Sequence, residues 1–426
     1  MISLKTLLNR KNLTSRNCLN IFIAVLFLHT VFTTMLGRVS EVFGFSTTIF
    51  TVAYLAIVWM LFVFSLKAIV LRVPRFGLII FVVITAIIII ANLAIYPQSK
   101  EYILGGLYDG IPRFFSNCLL ASALFVFVGA GVTDYNNLRG WLHVISRIGI
   151  IIALISDMIS IFISGNKYYD DMAFAYAVSL FVGDLVYEFL NGKNKGDLVF
   201  LIIGVAILCL AGTRGAIVAV CVLYVLQVFF NSRRNTGRIM VMIILLLLAA
   251  LLISGVFNAI LGQIYDMLKS VGLPNIRIID MFLEGSLTES SGRDKITDEL
   301  YEAIKEKPYS GYGIGADRSL NNKGSYAHNL FLELMVEFGI PVSLLISLAI
   351  CLILFSGFFR KNEAFRAVFI MLFSVFFIKL MFSSSYIYCR ELFLMLGMAL
   401  NYSSVLCRNT LESNITTPPD KRFVIG

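Results

Sequence analysis

The chain has 426 residues, of which 58% are hydrophobic and only 14% charged, and its mean hydropathy is +0.86. Soluble domains carry about 25% charged residues, so these values exclude a water-soluble globular protein. The formal net charge of +9 does not point to nucleic acid, because Lys and Arg are spread between apolar segments with no concentrated basic patch. The cysteines, among them Cys18, Cys118, Cys209, Cys221 and Cys351, lie mainly in apolar stretches without C-x-x-C spacing, so zinc and redox motifs are not indicated.

A spanning helix needs roughly 20 mostly apolar residues. In chain order, such stretches run Cys18 to Leu36, Phe45 to Leu66, Phe76 to Tyr96, Phe114 to Val132, Trp141 to Ile163 and Met172 to Leu190. The first lacks a small-residue cleavage pattern and is followed by further spans, so it reads as a transmembrane helix and not as a signal peptide. The second half offers Leu198 to Ala211, Ala216 to Phe230, Ile239 to Ile260, Ile340 to Phe359, Phe365 to Phe382 and Leu392 to Leu406. The expected architecture is all-α: a polytopic transmembrane bundle of about 12 helices with one long, partly helical extracytoplasmic loop. Residues 1–260 would hold helices 1 to 9, residues 261–339 the loop, and residues 340–426 helices 10 to 12 and a cytoplasmic tail.

Orientation follows from the basic residues. Lys5, Arg10, Lys11 and Arg16, then Lys67, Arg72 and Arg75, then Lys193 and Lys195, then Arg233, Arg234 and Arg238, and finally Arg360 and Lys361 occupy alternate short connections. The positive-inside rule puts these and both termini in the cytoplasm. The stretch from Leu261 to Ala327 is then extracytoplasmic. Within it, Ser291-Gly292-Arg293-Asp294 resembles a capping box opening a helix whose apolar positions Ile296, Leu300, Ala303 and Ile304 keep a helical period, with Pro308 past its end. Gly311, Gly313 and Gly315 mark a turn, and a second amphipathic segment runs from His328 to Phe338, with Asn329, Glu333 and Glu337 expected on its polar face.

Charges at membrane depth need a cavity or a partner. Arg214 stands between two apolar segments joined by almost no loop, and Arg293 opens the expected loop helix. A guanidinium beside the free N–H groups of a helix start forms an anion site; the bland alternatives are an interfacial arginine and a solvent-exposed one. Two such arginines on one side of the membrane suit a diphosphate, with Arg277 and Arg318 as further loop candidates. His328 differs from His29 and His143 in lying at a polar segment start, where an imidazole could take a hydroxyl proton. No metal is expected, because Asp294, Asp298, Glu299 and Glu302 read as one solvated helix face. The intramembrane Arg147, Asp157, Asp184, Glu188 and Lys379 would pair across helices or form a transporter's proton relay; no Walker A loop is present.

Four segments resemble the O-antigen ligase and polymerase family: Gly212-Thr213-Arg214-Gly215, Ser291-Gly292-Arg293, Gly311-Tyr312-Gly313-Ile314-Gly315, and Ala327-His328-Asn329 through Glu337-Phe338-Gly339-Ile340-Pro341. The resemblance implies a cofactor-free, metal-independent glycosyltransferase that moves a glycan from an undecaprenyl diphosphate carrier to an acceptor hydroxyl. Arg214, Arg293 and His328 would be catalytic, the arginines binding the donor diphosphate and His328 assisting the attacking hydroxyl or holding the second diphosphate, and Asn329, Arg277, Arg318 and Arg390 would bind substrate. The donor and acceptor are both lipid-linked glycans in a polymerase, with a chain-length regulator and a flippase as partners at the inner membrane. Polymerisation is the expected reaction, because no feature is assignable to recognition of a core oligosaccharide; ligation to lipid A core and transport are the alternatives.

Overall fold

The computed structural model describes residues 14–44, 46–72, 75–104, 115–160, 172–191, 196–211, 213–231, 263, 267 and 293–401. Among the described residues there is no strand. The helices are α1 (Ser15–Phe43), α2 (Thr48–Arg72), α3 (Arg75–Ile95), α4 (Pro97–Leu104), a π-helical stretch Phe115–Ala123 leading to α5 (Phe125–Gly131), α6 (Tyr135–Met158), α7 (Met172–Leu190), α8 (Gly196–Ala211) and α9 (Arg214–Asn231). After the loop helix α10 (Arg293–Glu306) come α11 (Leu330–Phe358), α12 (Glu363–Leu372), a π-helical turn Phe373–Phe377, α13 (Ile378–Phe382), and α14 over residues 390–401.

Six of these elements are long and apolar enough to cross a membrane, and α3 with α4 form a further pair bent by 114°. The chain is therefore a helical membrane protein. The expected span Ile239 to Ile260 lies outside the described residues, as does the proposed domain boundary at 260/261. The boundary at 339/340 falls inside α11, on a kink at Gly339 (φ 73°, ψ 165°).

Helix α7 is the hub: 83% of its spanning window is buried, and it packs against α1, α6, α8, α9 and α12. Its charges are matched by neighbours. On α6, Arg139, His143 and Arg147 recur every four residues and so share one face. They meet Glu188 and Asp184 of α7, the latter at 2.8 Å from His143 Nδ1, and Asp197 of α8, at 2.8 Å from Arg147 Nε. Arg38 of α1 closes a fourth pair with Asp157 at 2.6 Å. The intramembrane charges thus include four interhelical pairs, and removing one partner of such a pair costs about 3–5 kcal/mol.

The loop folds on a small core of its own. Ile296, Leu300, Ala303 and Ile304 of α10 pack with Tyr312, Ala316, Ala327, Leu332 and Val336. The kink at Gly339 needs a residue without Cβ, because its φ is in the left-handed half and a Cβ would strike the backbone of Tyr309. Breaking the helix there leaves carbonyls without helical donors. The glycine-rich turn supplies them: Tyr312 N–H donates to Val336 O and Gly313 N–H to Glu337 O, both at 2.9 Å, while Ile340 N–H reaches Pro308 O at 2.7 Å. The same turn is bonded to the α3–α4 bend, where Ser99 Oγ donates to Ile314 O at 2.8 Å.

Candidate active site

The site is assembled where the ends of α7, α9, α10 and α13 approach the turn that carries His328. Arg293, the first residue of α10, donates through Nη1 to the Phe382 carbonyl and lies 3.7 Å through Nη2 from Met172 Sδ at the start of α7. One turn along α7, the Tyr176 hydroxyl is 3.3 Å from Ser383 Oγ. Gly215 follows Arg214 at the start of α9, and a Cβ there would fall on the Tyr176 hydroxyl, so this approach needs glycine. Tyr326 Oη donates to Ser383 O at 2.8 Å, and its ring lies 4.2 Å from the His328 ring. The Phe382–Ser383 corner therefore touches elements from three of the four motif segments: Arg293 directly, His328 through Tyr326, and the Arg214 helix start through Tyr176.

His328 has φ 56°, the only positive value on a non-glycine among the described residues. Such a conformation costs on the order of 1–3 kcal/mol and persists where surroundings over-determine it. Here every neighbour is clamped. Asn321 Nδ2 donates to Ser325 O at 2.5 Å, Ala327 N–H to Asp317 Oδ2 at 2.8 Å, and Phe331 N–H to Asn329 Oδ1 at 3.0 Å. The imidazole Nε2 sits 3.2 Å from Ser325 Oγ, while Nδ1 is buried with no hydrogen-bond partner among the described residues. Burial first, then the positive charges of Arg293, Arg318 and Lys323, hold the His328 pKa down at about 4. It is a neutral imidazole at pH 7.

Arg318 is placed differently from its expectation as a substrate contact. It is buried, its guanidinium is bonded to Asp317, to Glu333 Oε1 at 3.2 Å and to Ser385 Oγ at 2.7 Å, and it lies over the ring of Tyr102 at 5.0 Å. Burial alone would lower its pKa, but the carboxylates of Asp317 and Glu333 outweigh this and raise it. Glu333 and Glu337, expected on a polar face, are fully buried. One carboxylate oxygen from each of Asp317, Glu333 and Glu337 lies within 4.8 Å of the other two. All six carboxylate oxygens of these residues accept hydrogen bonds, from Arg318, Ala327 N, Ser385 Oγ, Tyr386 N, Gly315 N and Tyr386 Oη. This set is a buttress under the His328 turn and not an open ligand set.

Asn329, expected to bind substrate, spends its carboxamide oxygen capping α11 through Phe331 N and Leu332 N. Arg390 pairs with Glu391 at 3.2 Å, and no hydrogen bond or ion pair among the described residues joins it to Arg293 or His328. Arg277, Gly212, Ser291 and Gly292 lie outside the described residues. Reading the sequence missed Tyr176, Ser325, Tyr326, Ser383 and the buried acidic set. The one signal for them was Gly215 directly after Arg214, a small residue where another chain segment comes close.

Fold and site together define a helical membrane protein with a cationic, tyrosine-lined site beneath one folded loop. Residues 199–347, which carry most of that site, match the O-Antigen ligase family. The ComP-specific O-oligosaccharyltransferase of Acinetobacter baylyi (strain ATCC 33305 / BD413 / ADP1) is 38% identical over 93 residues, an alignment covering 18% of this chain and 17% of that relative. The chain thus spans under a fifth of the length of this curated relative. No solved structure matches.

Proposed function

We propose that the protein is a membrane glycosyltransferase that moves a glycan from a lipid diphosphate carrier to an acceptor hydroxyl, in the manner of a ligase or oligosaccharyltransferase. The observation that carries the reading is the meeting of Arg293, the Arg214 helix start and neutral His328 at one corner. As the glycosidic carbon leaves the carrier, negative charge grows on the departing diphosphate, and fixed guanidinium groups stabilise that charge more than the ground state. The acceptor oxygen forms its bond to carbon as the carbon–phosphate oxygen bond breaks, with inversion; the hydroxyl proton passes to His328 and the diphosphate departs with the electron pair. Arg277 and Arg318 were natural additions to a diphosphate clamp, and Arg318 acts instead by holding the His328 turn.

The matched family and the named relative support transfer to a separate acceptor over polymerisation. That acceptor would be a core saccharide on lipid A or a protein hydroxyl. The positive-inside pattern supports both termini in the cytoplasm and chemistry at the outer face of the inner membrane. Polymerisation of undecaprenyl-diphosphate-linked repeats is the second reading. It would add a chain-length regulator and use a flippase as supplier.

Surface polysaccharide from cells lacking the gene separates the readings. Polymer accumulating on its lipid carrier without attachment marks a ligase. A single repeat unit attached to the core, with the long ladder gone, marks a polymerase, and an unchanged ladder and glycoprotein pattern would sink both in favour of transport.

A further inference from the structure

We propose that Ser325 is a positioning residue: its Oγ accepts the Nε2–H of His328 and so fixes the tautomer in which the Nδ1 lone pair takes the acceptor's proton. The inference rests on the glycosyl-transfer reading of the same site and assigns the atom that does the work.

Ser325 Oγ is 3.2 Å from Nε2, and the serine itself is held at both ends of its peptide, by Asn321 Nδ2 on its carbonyl and by Asn321 Oδ1 on its N–H at 3.3 Å. The contact is therefore a built one and not a chance rotamer. On the other side of the ring Nδ1 is buried and has no partner among the described residues. A buried polar atom without a partner calls for an explanation, and in a site that explanation is a bond supplied by substrate.

Two tautomers are open. With hydrogen on Nδ1, the ring would bury an N–H that has no acceptor among the described residues, in the field of Arg293, Arg318 and Lys323. With hydrogen on Nε2, that N–H has Ser325 Oγ as its acceptor and the Nδ1 lone pair is left free. The second arrangement accepts a hydroxyl proton; the first could only donate to a phosphate oxygen. In the step itself, the acceptor O–H proton moves to Nδ1, the acceptor oxygen bonds carbon, and the carrier diphosphate leaves with one more negative charge. The resulting imidazolium stays hydrogen-bonded to Ser325 through Nε2 and lies beside the newly charged diphosphate, which offsets the field of Arg293.

The test uses the full chain in lipid bilayers with ¹⁵N-labelled histidine, where only His29, His143 and His328 contribute signals and His328→Asn assigns the third. At pH 7 the expected spectrum shows His328 protonated at Nε2 and bare at Nδ1. Ser325→Ala should mix the tautomers and lower kcat roughly tenfold at unchanged donor KM, less than loss of the base itself, and Ser325→Thr should restore both. A wild-type spectrum with hydrogen on Nδ1, or wild-type kcat in Ser325→Ala, overturns the proposal. The spectrum does not depend on turnover. An inactive wild-type protein that shows the Nε2–H tautomer would therefore sink the glycosyl-transfer reading and leave the Ser325 assignment of the tautomer standing.

Discussion

Replacing Arg318 by Met separates a buttress from a substrate contact. The guanidinium is buried, bonded to Asp317, Glu333 and Ser385, and framed by the rings of Tyr102, Tyr388 and Tyr326 at 5.0, 5.7 and 5.9 Å. Methionine keeps much of the volume but removes the cation next to the buried Asp317, Glu333 and Glu337 carboxyls. Breaking one partner out of a buried ionic group costs about 3–5 kcal/mol. Read as the thermal midpoint of the purified protein in detergent, this is a drop of roughly 3–6 °C. Arg318→Lys should fall between, because the ammonium keeps the charge but not the planar fork. Adding Glu333→Gln to Arg318→Met should recover part of the loss, since the two sites share one network. An Arg318→Met protein with an unchanged midpoint and a raised donor KM would refute the argument and return Arg318 to the substrate.

Gly215→Ala should abolish transfer by pushing its methyl onto the Tyr176 hydroxyl, and Tyr176→Phe, which deletes that oxygen, should restore much of the activity in the double variant assayed for turnover. His328→Gly should raise the thermal midpoint slightly while ending turnover, because glycine takes φ 56° without the roughly 1 kcal/mol penalty of a side chain. The His328 pKa of about 4 lies below its ordinary 6.5, so between those values the unfolded chain binds the extra proton. The stability of wild type relative to His328→Asn is then constant above about pH 6.5 and falls as pH drops towards 4, which denaturation across that window measures.

Much of the helical plan was readable because a bilayer leaves few options: long apolar runs separated by basic connections become helices. The loop helix α10 was equally legible, since Ile296, Leu300, Ala303 and Ile304 keep one period and one face, and all four are buried. Arg293 was expected at its start and stands there, whereas His328, expected to open the next amphipathic segment, lies on the turn before it, because Asn329 caps a helix that begins at Leu330. The burial of Glu333 and Glu337 was not legible, because a period shows which residues share a face but not what covers it. Here Arg318, Ser385 and Tyr386 cover that face from segments 15 or more residues away in sequence. Tyr176 and Ser383 were invisible for the same reason, being brought to the arginines only by the packing of α7 and α13.

The central claim is carried by Arg293, and purified protein in lipid bilayers tests it most directly. The substrate would be a fluorescent oligosaccharide on an undecaprenyl diphosphate carrier, and the readout the release of free carrier diphosphate matched one to one by glycan on an acceptor. Wild type should show that matched release without added nucleotide, and Arg293→Ala should lower it at least 100-fold while its thermal midpoint stays near wild type. Undiminished transfer in Arg293→Ala, or carrier-linked glycan crossing the bilayer intact without release of diphosphate, would contradict the account.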